Sequence, residues 1–166
     1  GVVATEGDND ITDQVITSGS VDTSTPGLYT IKYSATNQDG FDSSTERFVI
    51  VVPENLSTID ISGVYNGQRE GKQMVPEGCE ITKISEGVFK ATDLFGGYYN
   101  LLLGYGSAYA LSTYFYLNDD NTYVSVYNTT AWGPWDVLNT TYDPDTNTFK
   151  HRAQQGTFGF NVTLTK

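Results

Sequence analysis

The sequence predicts an all-β protein of two units, the second an antiparallel β-sandwich or meander barrel. Three observations carry that expectation. No segment sustains an apolar i, i+3, i+4 repeat over the length of a helix. Short alternating runs bounded by Gly, Pro, Asn and Asp recur along the whole chain. Aromatics make up 13% of the 166 residues, with Tyr (12) well ahead of Trp (2), while charged residues make up only 17%. Tyr, Thr, Ser, Asn and Gly therefore supply much of the polar surface, as in extracellular β-proteins that meet neutral polar ligands.

Residues 1–53 form the first unit. A short strand covers Val15–Thr17, and Pro26-Gly27 marks a turn before the next strand. That strand, Leu28–Thr36, alternates Tyr29, Ile31, Tyr33 and Ala35 on one face with Leu28, Thr30, Lys32 and Ser34 on the other. Asn37-Gln38-Asp39-Gly40 is a hairpin turn, and Thr45–Val52 returns to Pro53. The run Pro53–Asp60 has no periodicity and mixes Pro, acids and hydroxyls, so residues 54–60 read as a linker.

Residues 61–166 form the second unit. Strand candidates are Ile61–Arg69, Glu80–Ile84, Val88–Thr92, Tyr98–Leu103, Ser112–Leu117, Thr122–Tyr127, Leu138–Tyr142, Thr148–Ala153 and Thr157–Thr165. Short strands at roughly 8–12-residue spacing point to a sandwich or a closing meander. The last strand puts Phe158, Phe160, Val162 and Leu164 on one face and is expected beside the first, Ile61–Arg69. The most apolar stretch is Thr92–Ala110, rich in Gly and Tyr with Asp93 as its only charge. It is too short and interrupted for a membrane span. Leucines 101–103 fall on both faces of an extended strand, so it is expected as a covered core strand.

The bulk numbers exclude several classes. A net charge of -11 repels phosphate backbones, so nucleic acid is not an expected partner. One Cys (Cys79) and one His (His151) rule out an intramolecular disulfide and a structural zinc site. The acids at Glu6, Asp8, Asp10 and Asp13 supply only part of the roughly 6–8 oxygens calcium takes. They read as turn chemistry, as do Asp119-Asp120 and Asp143-Asp145. No metal and no cofactor is expected. There is no nucleophile-elbow motif, and His151 reads as a surface or strand histidine. Glu70, Glu77, Glu80, Glu86, Asp93 and Asp136 are available carboxylates, but nothing marks a facing pair, so no enzyme is expected. Four N-x-S/T sequons occur, at Asn55, Asn128, Asn139 and Asn161; they carry weight only in a eukaryotic secretory setting.

The candidate binding residues are aromatic. Trp132 and Trp135 flank a Gly-Pro turn, and a flat ring on a loop suits the C–H face of a sugar. Tyr98 and Tyr99 are neighbours and would point to opposite faces of a strand; Tyr105 is the most plausible neighbour of the tryptophan loop. The competing reading has the tryptophans capping the core and the tyrosines at its rim.

The run Asp10-Ile11-Thr12 followed by GSVDTSTPGLYTIKYSATNQDG resembles the immunoglobulin-like repeats of bacterial surface proteins. Such domains have further strands upstream, which leaves a complete or a truncated sandwich open. The second unit, with ISGVYN, ITKISEGVF, DLFGGYY, GYGSAY, YDPDTNT and FNVTLTK, resembles β-rich domains of Bacteroidetes cell-surface lipoproteins. Together the matches cover nearly the whole chain. The resemblance implies a non-catalytic protein on the outer face of the cell envelope, held to the outer membrane by an upstream lipid anchor. It also implies association with glycan-uptake systems. The expected partners are a polysaccharide or oligosaccharide and outer-membrane uptake proteins. The alternatives are a structural or protein-interaction module and, less favoured, a glycoside hydrolase.

Overall fold

The computed structural model describes residues 1–166. The chain divides into two compact units, Gly1–Pro53 and Glu54–Lys166. In the first, β1 (Thr5–Glu6) and β2 (Asn9–Asp10) form a small hairpin. Strands β3 (Ile16–Ser18), β4 (Gly27–Thr36) and β5 (Asp42–Val51) form a three-stranded antiparallel sheet in sequence order. Asn37 closes the β4–β5 turn: its side-chain oxygen accepts the Phe41 N–H at 2.7 Å, and Gly40 takes φ 82°. Ile11 is the only buried hydrophobic residue of this unit. The acidic loop beside it is a set of turns, with the Asp10 carboxylate accepting the Thr12 N–H at 2.9 Å.

The second unit is an eight-stranded antiparallel sheet built from β6 (Gly63–Arg69), β7 (Val75–Ser85), β8 (Val88–Ala91), β9 (Ser112–Leu117), β10 (Tyr123–Thr129), β11 (Asp136–Asp143), β12 (Thr148–Gln155) and β13 (Phe158–Thr165). Its order is β10-β9-β8-β7-β6-β13-β12-β11. Consecutive strands pair throughout except at β10 and β11, and the last strand pairs with the first, Thr163 opposite Gln68 and Leu164 opposite Gly67. This is an up-and-down meander that almost closes into a barrel. The alternation explains it: Tyr65, Phe89, Phe115 and Phe149 are no more than 1% exposed, and on β6 and β12 the side chains on either side of them are exposed or half-buried.

The seam between β10 and β11 is joined by side chains in place of a ladder. Thr140 Oγ1 accepts the Tyr123 N–H and donates to the Tyr123 carbonyl at 2.6 Å. Farther along, the Asn128 amide exchanges two bonds with the Trp135 backbone, both at 2.9 Å. Asn139, at φ 53°, interrupts β11 in between, where Leu138 and Thr141 are out of register. A cleft of about 470 Å³ lies along this seam.

Residues 54–60 are not a free linker. Leu56 bridges Asn118, the Ser57 N–H donates to the Leu117 carbonyl at 2.9 Å, and Asn55 meets Asp119. Their composition is that of a loop, yet they pack as part of the second unit.

Of the two places expected for His151, surface or strand, the structure gives the strand and not the surface. It faces into the barrel from β12 at 3% exposure. Its Nε2 lies 2.7 Å from the Leu94 carbonyl, which can only accept, so Nε2 carries the proton. Nδ1 then accepts the Tyr123 hydroxyl at 2.7 Å. Burial holds the imidazole down at about 4. Because the folded value lies below the unfolded one, its stabilising contribution is complete above pH 6.5 and is lost as pH falls from there toward 4. That contribution is on the order of 3 kcal/mol. The chain has a single histidine, so the ring signals are unambiguous by NMR. The ring should stay neutral through pH 5; a midpoint near 6.5 would contradict the buried placement.

Candidate functional site

The candidate site lies at one end of the barrel, where the β8–β9 and β10–β11 connections meet. Asp93 organises the first of these. Its carboxylate is buried and accepts three backbone N–H groups: Phe95 at 2.8 Å, Leu111 at 2.9 Å and Gly97 at 3.2 Å. The Asp93 side chain therefore ties both ends of the connection together. Gly96 (φ 66°) and Gly97 (φ 77°) then turn the chain through left-handed conformations.

The chain next makes a helical turn, where the sequence predicts a strand. Tyr98–Leu102 forms one π-turn, closed by Leu102 N–H to Gly97 O (3.0 Å) and Leu103 N–H to Tyr98 O (3.1 Å). The parity argument for a strand covered on both faces fails here, and Leu101 (53%) and Leu103 (42%) are exposed. The core role passes to Leu94 and Phe95, at 1% and 0% exposure.

The turn and the loop after it bring three tyrosines to one surface. Tyr99 and Tyr105 lie nearly parallel, 6.1 Å apart with 29° between their planes. Tyr109 meets Tyr105 edge-on at 5.5 Å. From the second connection Trp132 stands across them, 4.8 Å from Tyr99 and 4.7 Å from Tyr109, at 74° and 61°. The rings form an angled aromatic surface, with Tyr105 53% and Trp132 39% exposed.

Trp132 is held firmly despite sitting at a loop tip. Thr130 and Gly133 exchange backbone bonds at 3.1 and 2.9 Å, and Thr130 Oγ1 accepts the Trp132 N–H at 3.0 Å. The Gln155 amide donates to the carbonyls of Trp132 and Pro134. Ala131 N–H donates to Ala108 O at 2.6 Å and joins the two connections. Tyr99 is fixed in turn by Arg69, whose Nη1 donates to the Tyr99 hydroxyl at 2.7 Å. Partial burial raises the Tyr99 phenol above its ordinary value, so it stays protonated at neutral pH.

Of the five residues singled out in the sequence, the structure thus brings Trp132, Tyr105 and Tyr99 together at the surface. Trp135 and Tyr98 do not join them. Trp135 is 6% exposed and packs edge-to-face on Phe95 at 4.8 Å, with its indole Nε1 buried and without a hydrogen-bond partner. Tyr98 is 9% exposed and lies under the Arg69 guanidinium at 4.7 Å. Tyr109 and Arg69 also belong to the assembly, although neither is among those five. For Arg69 a signal existed: it shares strand parity with the inward Tyr65 and Gly67.

Residues 1–51 match the Ig-like domain of bacterial surface proteins, and residues 54–166 match the model of a C-terminal domain family. The crystal structure of the lipoprotein BT2262 from Bacteroides thetaiotaomicron is 33% identical, with a TM-score of 0.56 over 100% of this chain and 88% of that one. The chain belongs to the BT2262 family. A comparison with curated proteins gives no match. As a member of the BT2262 family with a bacterial surface Ig-like domain, the chain is a bacterial cell-surface protein, and its solved relative is a lipoprotein. Both resemblances read from the sequence thus stand.

Proposed function

We propose that the protein is a non-catalytic surface receptor that binds carbohydrate on the aromatic surface of Tyr99, Tyr105, Tyr109 and Trp132. The supporting observation is that an exposed indole and an exposed phenol sit on loops that are nevertheless rigidly bonded. A sugar ring can stack on such faces without an ordering cost, while its hydroxyls reach the phenol oxygens. The first unit acts as a spacer. The chain is held at the outer membrane by a lipid anchor, in keeping with its lipoprotein relative, and presents glycan to uptake proteins there. A second reading has support from Leu101 and Leu103: their exposure beside the rings also suits a protein contact.

Affinity electrophoresis against a panel of neutral and acidic polysaccharides separates these. Retardation by at least one polysaccharide is expected. Trp132→Ala and Tyr105→Ala should each weaken it about tenfold, the loss of roughly 1.4 kcal/mol of stacking. Phe41→Ala, at a site 73% exposed in the first unit, should leave it unchanged. If the wild type is retarded by none, the carbohydrate reading fails and the protein-contact reading takes its place.

A further inference from the structure

Arg69 is an unusual cation for this chain. It stacks over Phe160 at 4.0 Å and Tyr98 at 4.7 Å, with Phe158 at 5.7 Å. Its one hydrogen bond goes to the Tyr99 hydroxyl. A guanidinium carries five N–H donors, so four remain uncommitted. The chain has 20 acidic residues against 9 basic ones, yet no carboxylate pairs with this half-buried group. The adjacent acid, Glu70, accepts instead from Asn161 Nδ2 at 3.0 Å. The aromatic rings compensate part of the cost of partly desolvating the guanidinium. They also fix its plane, which is the preorganisation that bidentate recognition of an oxyanion needs.

Resting on the carbohydrate reading above, we infer that Arg69 makes the site selective for glycans bearing an anionic group, a carboxylate or a sulfate. Tyr99 couples the two parts. Its oxygen accepts from Arg69, so its own proton is free to donate to the same ligand, and its ring touches Tyr105 and Trp132. A sugar stacked on the exposed rings thus lies one hydroxyl away from the guanidinium. The net charge of -11 opposes a polyanion at long range. At physiological salt, charges beyond about 8 Å are screened, while a contact with a half-buried guanidinium is screened much less. Moderate salt should therefore not abolish binding to an anionic glycan.

The test compares matched probes on the whole chain: dextran with dextran sulfate, and methyl-esterified with free polygalacturonate. Tighter binding to the charged member of either pair is expected, by about tenfold. Preference in the sulfate pair alone identifies a sulfate site; preference in the galacturonate pair alone identifies a carboxylate site. Arg69→Met should collapse the preference, and Arg69→Lys should recover only part of it, since an ammonium lacks the planar fork. Equal binding within both pairs, or a preference that survives Arg69→Met, overturns the inference while the carbohydrate reading stands. If the Met variant does not fold, Arg69→Lys carries the test: a preference undiminished in it overturns the inference. Retardation by no probe at all overturns both.

Discussion

Asp93→Ala should cost about 3–6 kcal/mol, enough to unfold much of the second unit at 37 °C. The change leaves the N–H groups of Phe95, Gly97 and Leu111 without an acceptor. Bulk solvent does not reach these groups, because Asp93 is 1% exposed and Leu94, Phe95 and Leu111 are as deeply buried. Each orphaned donor costs about 1–3 kcal/mol. Asp93→Asn separates the bonds from the charge. Oδ1 alone accepts from both Phe95 and Leu111, so an amide oxygen placed there keeps two of the three bonds. Asn should therefore be clearly more stable than Ala.

The same pair gives a pH dependence of known sign. Burial pushes the Asp93 carboxyl up to about 6, against the three N–H bonds that favour its charge. The folded value lies above the unfolded 3.8, so this group stabilises most at low pH and loses that contribution as pH rises through 6. Wild type should gain stability relative to Asp93→Asn on acidification from pH 7 to 4. His151 changes in the opposite sense over much of this range, so only the difference between the two proteins isolates Asp93. Chemical denaturation at several pH values measures it. If the Ala variant unfolds within 1 kcal/mol of wild type, roughly the worth of one ordinary hydrogen bond, Asp93 does not hold the connection.

The contrast between the strands and this connection shows what a single sequence encodes. Ser112–Leu117 and Thr148–Ala153 were legible because each strand's alternation is local, and a barrel interior simply repeats it. Pairing of the last strand with the first was legible for the same reason: both present an apolar face and little else to cover it. Tyr98–Leu102 was not, because its helical turn is imposed from outside the segment. Asp93 bonds, glycine conformations and contacts with β6 and β7 choose it over the strand that its Tyr and Leu content favours. The tryptophans make the same point. Trp132 and Trp135 are equivalent by composition and spacing. Which one faces out is decided by Asn128 fixing the Trp135 backbone at the seam and Gln155 fixing that of Trp132.

Gly67→Ala should be strongly damaging although Gly67 touches no candidate ligand. Gly67 on β6, Gly78 on β7 and Gly96–Gly97 in the connection pack backbone on backbone. A Cβ on Gly67 would penetrate the Gly96 main chain, and one on Gly78 would strike the Gly96 carbonyl. The approach is reciprocal: a Cβ on Gly96 would lie 2.8 Å from Gly67 Cα, and one on Gly97 2.9 Å from Gly78 Cα. Carbon atoms at rest stay about 3.5–4.0 Å apart. The obstacle is main chain on both sides, so no rotamer change relieves it. Overpacking commonly costs about 1–3 kcal/mol, and this case belongs at or above the upper end. Gly71→Ala supplies the control. Gly71 has a positive φ, 70°, but open space around its Cβ position, so it incurs only the left-handed strain of about 1–2 kcal/mol. Thermal unfolding should therefore rank Gly67→Ala well below Gly71→Ala. Any folded Gly67→Ala protein must also lift the Gly96–Gly97 turn off the sheet, and Tyr99 lies two residues beyond it. Glycan retardation should then weaken even though Gly67 lies beneath the rings and not among them. Unfolding of the Gly67 and Gly71 variants at the same temperature, with retardation unchanged, would show that the connection has another seat on the barrel.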